Sequence, residues 1–230
     1  MMSSSSSAAR DAFGTIARNP AVVTIDLHRG HLDPAVATLP LPADSAAALL
    51  ERTVPLLDAY RSEGLPVVHL VTFYRDRGEI LSNPYWAMQA GQPMSPRAAI
   101  AEHNLAGGVG LELMPGIYRD GDVVIDTKKR YDCFVGTDLQ FVLRSGGHDS
   151  VLILGVNTNS CVIATAVAAS VRDFAVFVVE DGVDSMMGEA LHRAALNVIE
   201  ASFGWVISGP DSIEALRARG HEMEVSATDR

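Results

Sequence analysis

Residues 150–180 read SVLILGVNTNSCVIATAVAASVRDFAVFVVE, and this stretch decides the fold. Ser150–Gly155 and Ala175–Glu180 are near-continuous apolar runs, short and rich in β-branched residues, which marks strands. Between them Ser160–Arg172 has helical spacing and closes near Asp173. Strands apolar on both faces, joined by a helix, belong to a parallel sheet covered on two sides. The same alternation extends outward. Ala21–Leu27 (AVVTIDL), Leu65–Val71 (LPVVHLV) and Asp122–Asp126 (DVVID) read as further strands, and Gly204–Ile207 as a sixth. Ala43–Glu63, Thr137–Ser145, Gly188–Ala201 and Asp211–Arg219 read as helices. The expected fold is α/β, a three-layer αβα sandwich around a six-stranded parallel, Rossmann-like sheet with right-handed crossovers.

One domain over residues 21–220 accounts for this pattern. Residues 1–20, with the Ser3–Ser7 run, read as a flexible leader without the apolar core of a signal peptide, and 221–230 as a tail. Phe73–Gly121 breaks the alternation, is rich in Pro, Gly and Met, and carries Trp86; a connection this long is expected to be a functional insertion or lid. The 230 residues are 48% hydrophobic, enough for a filled core. A net charge of −10 would repel phosphate backbones and anionic membranes, so neither nucleic acid nor a membrane is an expected partner. No apolar stretch reaches the length of a bilayer span. Two cysteines, Cys133 and Cys161, are too few for a disulfide framework and point to a reducing, cytoplasmic setting.

Ligands of such sheets bind beyond the carboxyl ends of the strands. Three residues sit there. Asp26 closes the first strand (VVTID), Lys128 follows the third (VIDTK), and Cys161 follows the fourth across a short loop (LILGVNTNSC). Taken singly, each has a plain structural reading: a turn former, a solvated cation, a small buried hydrophobe. Together they form a nucleophile with a base and a cation. A helix N-terminus and a neighbouring ammonium would lower the thiol pKa, a carboxylate would take its proton, and backbone N–H groups of the Gly155–Cys161 loop would receive an oxyanion.

At these residues the chain resembles the isochorismatase-like cysteine hydrolases. The likeness runs from about Ala21 to Ile207 and rests on VVTIDLHRGHLDP, KKRYDCFVGTDL and GVNTNSCV followed by VVEDGVDS. It implies Asp26 as general base, Lys128 (with Lys129 its only competitor) as the lysine, and Cys161 as nucleophile. It also implies a cis peptide at Val156–Asn157 that aims the Asn157 N–H, with that of Cys161, at the oxyanion. The implied activity is cleavage of an amide or carbamoyl C–N bond through a thioester, with no cofactor, in a homo-oligomer, dimer or tetramer. Vinyl-ether hydrolysis of the isochorismatase kind and nicotinamidase-like amidase activity are the alternatives; the presence of Cys161 disfavours the first.

The departures narrow this. Nicotinamidases hold a metal through a D-x-H…H cluster past the second strand, where this chain has Thr72 and Tyr74, so no metal is expected and His69 is read as a packed core residue. The RGxxDP form after Asp26 resembles the N-carbamoylsarcosine and maleamate amidase branches. Arg29 pairs either with a substrate carboxylate or with Asp33. His28 stands where the family commonly has Gln, and His31 where an aromatic residue often lines the pocket. Tyr74, Trp86 and Tyr131 are pocket walls or simply pack the insertion, Cys133 is read as packing, and His148 and His192 as surface residues without partners.

Overall fold

The computed structural model describes the backbone of residues 3–228 and the side chains of residues 7–219. Its six strands are β1 (Pro20–Ile25), β2 (Val67–Thr72), β3 (Val123–Lys128), β4 (Ser150–Val156), β5 (Ala175–Asp184) and β6 (Trp205–Ile207). They form one sheet in the order β3-β2-β1-β4-β5-β6, and every adjacent pair is parallel. The strand order reverses between β1 and β4, and that switch point is where doubly wound sheets open a crevice for ligands.

Apolar strands need two covers, and the helices supply them. Ala21, Val23, Ile25, Val151 and Ile153 point to one face. There they meet α6 (Leu139–Ser145), α7 (Ile163–Ser170) and α8 (Glu189–Ser202) through Leu139, Leu143, Ala166, Leu196 and Ile199. Val22, Leu152 and Leu154 point to the other face, against α1 (Ser3–Ile16), α3 (Ala43–Ser62) and α9 (Gly209–Thr228). The three layers of the expected sandwich are therefore present. The start of the chain differs from expectation. The flexible leader is instead the helix α1, whose Ala9 and Phe13, with Ala17 just beyond it, are buried, Phe13 edge-on to Phe177. Burying a side chain of that size is worth roughly 1.5–3 kcal/mol, which outweighs the poor helix propensity of the serines before it. The expected tail is helical as far as Thr228, its side chains lying outside the described residues.

Register sets the level of the strand ends. Ile25 pairs with Gly155, and Thr72 with Lys128, so β1 to β4 finish along one edge. Gly155 has φ +116, and a Cβ there would run into the Ile25 carbonyl. Only glycine lets the two central strands close to that distance. Over this edge lies the long insertion, with α4 (Arg77–Leu81), α5 (Pro84–Gln89) and a small core of its own built from Leu39, Tyr74, Ile80, Trp86 and Ile100. The short helix α2 (Arg29–Leu32) directly follows β1. Among the described residues no helix is long and apolar enough to cross a membrane.

Candidate active site

Asp26 is the first residue past β1 and has φ +56, a left-handed conformation that aspartate tolerates better than most residues. Its carboxylate is fully buried and fully engaged. Oδ1 accepts the Thr72 N–H at 3.0 Å and the Thr72 hydroxyl at 2.8 Å. Oδ2 accepts from Lys128 Nζ at 2.6 Å. The ammonium of Lys128, only 1% exposed, divides its three hydrogens between Asp26, Thr72 Oγ1 at 2.6 Å and Cys161 Sγ at 3.4 Å. The three strand-end residues singled out in the sequence thus touch one another, and Thr72 joins them.

Burial works against every charge in this group. It pushes the Asp26 carboxyl up, but Lys128, with His28, holds it well below the usual carboxylate range. It pushes the Lys128 ammonium towards neutrality, but Asp26 keeps its pKa well above the ordinary value. For Cys161 burial wins: the thiol is pushed up to about 11, with Lys128 pulling the other way. The expected lowering does not occur. Cys161 is 5% exposed, and α7 begins two residues later, at Ile163, behind a wide π turn over Thr158–Val162. The proton therefore rests on sulfur, beside a carboxylate able to receive it.

The loop that carries Cys161 is fastened from outside. The Val156–Asn157 peptide is cis. The Asn157 carbonyl accepts the N–H groups of Ser160 and Val162, while its side-chain oxygen accepts the Met186 N–H at 2.7 Å. Thr158 bonds His192 Nδ1 at 2.8 Å, so His192 is buried and ties α8 to this loop rather than lying on the surface. His148, in contrast, reaches only the Asn19 carbonyl.

Residues 20–211 match the isochorismatase domain. The chain belongs to the isochorismatase family. The maleamate amidohydrolase of Pseudomonas putida is 27% identical over 200 residues, covering 87% of this chain and 88% of that protein. The ureidoacrylate amidohydrolase of Caulobacter segnis is 26% identical over 205 residues, with 84% of each chain covered. Among solved structures, the N-carbamoylsarcosine amidase of Thermoplasma acidophilum superposes with a TM-score of 0.65 at 26% identity, over 83% of this chain and 96% of its own.

In this isochorismatase domain a partly open cavity lies beside Cys161, with a free volume of about 30 Å³. Tyr74, Trp86 and Tyr131 line it, and they also hold the insertion in place: Tyr74 donates to the Lys129 carbonyl, and Trp86 donates its indole N–H to the Tyr131 hydroxyl at 2.8 Å. Both readings of these aromatics therefore apply. Arg29 takes the structural one. Its guanidinium is spent on Asp33 at 2.8 Å and Glu112 at 2.9 Å, and it does not reach the cavity. Lys129 points away to the Phe73 carbonyl.

Two cations were missed in the sequence. Arg97 and Arg130 line the cavity, and neither is paired with a carboxylate; Arg97 bonds the Tyr131 hydroxyl, and Arg130 the Lys129 and Glu79 carbonyls and Ser82. Also unforeseen is the gathering of His28, His31 and His103, all buried, in one cluster against the same cavity. His28 Nε2 lies 3.4 Å from Asp26 Oδ1. Burial keeps His31 neutral, with its pKa down at about 4, and it holds His103 well below the ordinary histidine value too. Thr72 and Tyr74, at the positions of the nicotinamidase metal ligands, bond the Asp26 carboxylate and the Lys129 carbonyl.

Proposed function

We propose that this protein is an amidohydrolase that cleaves a C–N bond, other than a peptide bond, in a small metabolite carrying a negative charge. The observation that carries the proposal is Lys128 Nζ bonded to both the Asp26 carboxylate and Cys161 Sγ on the wall of a cavity. The amidohydrolase names of its relatives support the same bond class.

A substrate carbonyl placed against Cys161 draws the thiol proton onto Asp26 as sulfur attacks. A proton that rests on sulfur until then keeps a buried thiolate from forming without substrate. The N–H groups of Asn157 and Cys161 receive the developing oxyanion, and Lys128 remains charged throughout, balancing the sulfur and the carboxylate in turn. Collapse expels the amine, which takes the proton back from Asp26 and leaves a thioester. Water, deprotonated by Asp26, then attacks the thioester, sulfur leaves and takes that proton back from Asp26, and the acid is released. No step needs an organic cofactor.

The substrate class follows from charge. Asp26 is the one carboxylate lining the cavity and is neutralised by Lys128, so among the described residues Arg97 and Arg130 have no carboxylate partner. A substrate carboxylate meets that need, and a guanidinium recognises it in bidentate fashion. We read the enzyme as cytoplasmic and homo-oligomeric, as its two free thiols and its family resemblance indicate. Ammonia release from maleamate, ureidoacrylate, N-carbamoyl amino acids, biuret and nicotinamide tests the reading. The anionic substrates are expected to turn over, and Cys161→Ala to abolish release in a folded protein. Full turnover by Cys161→Ala would overturn it.

A further inference from the structure

The histidines near the site come from two distant parts of the chain. His28 and His31 flank the start of α2, directly after Asp26, and His103 arrives from the insertion. They are 0%, 5% and 2% exposed. Ring centroids are 5.1 Å apart for His28 and His31, 4.7 Å for His31 and His103, and 5.8 Å for His28 and His103. One ring nitrogen from each lies within 4.8 Å of the other two. Gly30 makes the packing possible, since a Cβ there would strike the Asn104 side chain and crowd the His28 ring.

Packing alone does not account for the polar atoms. His31 Nδ1 is bound by the Leu39 carbonyl at 2.7 Å, which fixes the proton on Nδ1 and leaves the Nε2 lone pair free. His103 Nδ1 is bound by the Thr38 hydroxyl at 2.8 Å. Its Nε2 is buried and has no hydrogen-bond partner. Among the described residues three buried side-chain polar atoms lack a partner, and two of them, His103 Nε2 and Asn104 Oδ1, belong to this cluster. An unpaired buried polar atom costs about 1–3 kcal/mol, so a cluster that holds two of them has a use for a ligand. A ring whose far nitrogen is anchored by a carbonyl or hydroxyl while its near nitrogen stays bare is how proteins present histidine to a metal.

We propose that His28, His31 and His103 form a binding site for a divalent transition metal ion, zinc in the first instance. Three imidazoles with a fourth position open make a zinc-type ligand set, in which His28 exchanges its 3.0 Å contact with the Asn104 amide for the metal, and Zn–N bonds of about 2.0–2.1 Å are reached by drawing the rings together by roughly 1 Å. His31 and His103 line the cavity shared with Cys161, so water or a substrate oxygen completes the coordination. These ligands differ from the cluster past the second strand implied by the resemblance to nicotinamidases. The site rests on its own geometry and stands whether or not the amidohydrolase reading does.

The test uses the full chain, stripped with a chelator and titrated with Zn²⁺ or Co²⁺. Wild type is expected to bind one metal ion per chain, with Co²⁺ developing visible ligand-field bands. His103→Ala and His31→Gln are each expected to lose binding at least tenfold, and His148→Ala to keep it. X-ray absorption of the zinc protein is expected to show nitrogen and oxygen scatterers only. Cys161→Ala, which the proposed chemistry makes inactive, is expected to bind zinc like wild type, so loss of activity and loss of metal are read separately. Failure of the stripped wild type to bind, a sulfur scatterer at about 2.3 Å, or undiminished binding by His103→Ala would each overturn the proposal.

Discussion

Two carboxylates are buried near opposite ends of the sheet, and their differences separate a site for chemistry from a structural joint. Asp122, just before β3, receives Arg61 Nε at 3.1 Å and Nη2 at 2.7 Å, His69 Nε2 at 3.0 Å and the Arg119 N–H at 2.8 Å. Asp26, just after β1, receives Thr72 twice and Lys128. In both cases burial pushes the carboxyl up and the partners bring it below its ordinary value. The counter-ions differ in kind. Arg61 is a fork that never gives up its proton, and it also holds the Ile117 carbonyl and Asp58, so it clamps the chain. Lys128 is a point charge shared with a thiol on a cavity wall. A saturated carboxylate holds the fold, whereas one sharing its cation with a nucleophile can move a proton.

The largest contrast is expected from removing each charge without changing shape. Asp26→Asn is expected to lower amide hydrolysis on the order of 10³-fold, the range for loss of a general base, while Asp122→Asn leaves turnover within about twofold. Equal activity losses in the two variants would erase the distinction. Removing the cations comes next. Lys128→Met strands a fully buried carboxylate and is expected to cost about 3–5 kcal/mol in urea unfolding as well as activity. Arg61 is 16% exposed in its side chain, and Arg61→Met is expected to cost roughly 1–3 kcal/mol with turnover retained. The hydroxyls give a finer version. Thr72 donates to Asp26 and accepts from Lys128, and Thr24 bonds His69 Nδ1 at 2.6 Å. Thr72→Val is expected to slow turnover about tenfold, the worth of one hydrogen bond to a charged group, and Thr24→Val to change stability alone. A kinetic effect of Thr24→Val would join the two networks.

The sequence revealed the Asp26 network better than the Asp122 network, and the reason is local. Strands apolar on both faces are visible as runs, and each run ends where a polar residue appears, so Asp26, Lys128 and Cys161 could be placed at one edge before any contact was known. The part Thr72 plays was not legible because a threonine closing a strand is ordinary, and only the β2–β3 register puts it beside Lys128. Arg97 and His103 lie in a segment without periodicity, and nothing in the sequence says which part of it folds over Cys161. The helix α1 was hidden because a serine run argues for disorder, whereas Phe13 and Ala9 decide the matter by burial. The thiol's direction was misjudged for a related reason: the neighbouring cation is legible in sequence, and the depth of burial that outweighs it is not.

The smallest expected effect concerns pH and separates the two networks by their histidines. Burial holds His69 below its ordinary pKa, with Asp122 pulling it up and Arg61 pushing it down. The neutral ring has one proton and two partners, so it donates from Nε2 to Asp122 and accepts the Thr24 hydroxyl at Nδ1. Protonation would put a second donor against that hydroxyl and turn it away. A folded pKa below the unfolded value of about 6.5 means that the unfolded chain binds the proton more readily. The contribution is therefore complete above about pH 6.5 and is lost as pH falls towards the folded value. Wild type is expected to unfold at lower urea at pH 5.5 than at pH 7.5, and His69→Gln to show a shallower difference. His31, His103 and His192 titrate in the same direction, so part of the slope remains in that variant. An unchanged slope would show that His69 is not held neutral, and that the Asp122 joint carries a charged pair like the one between Asp26 and Lys128.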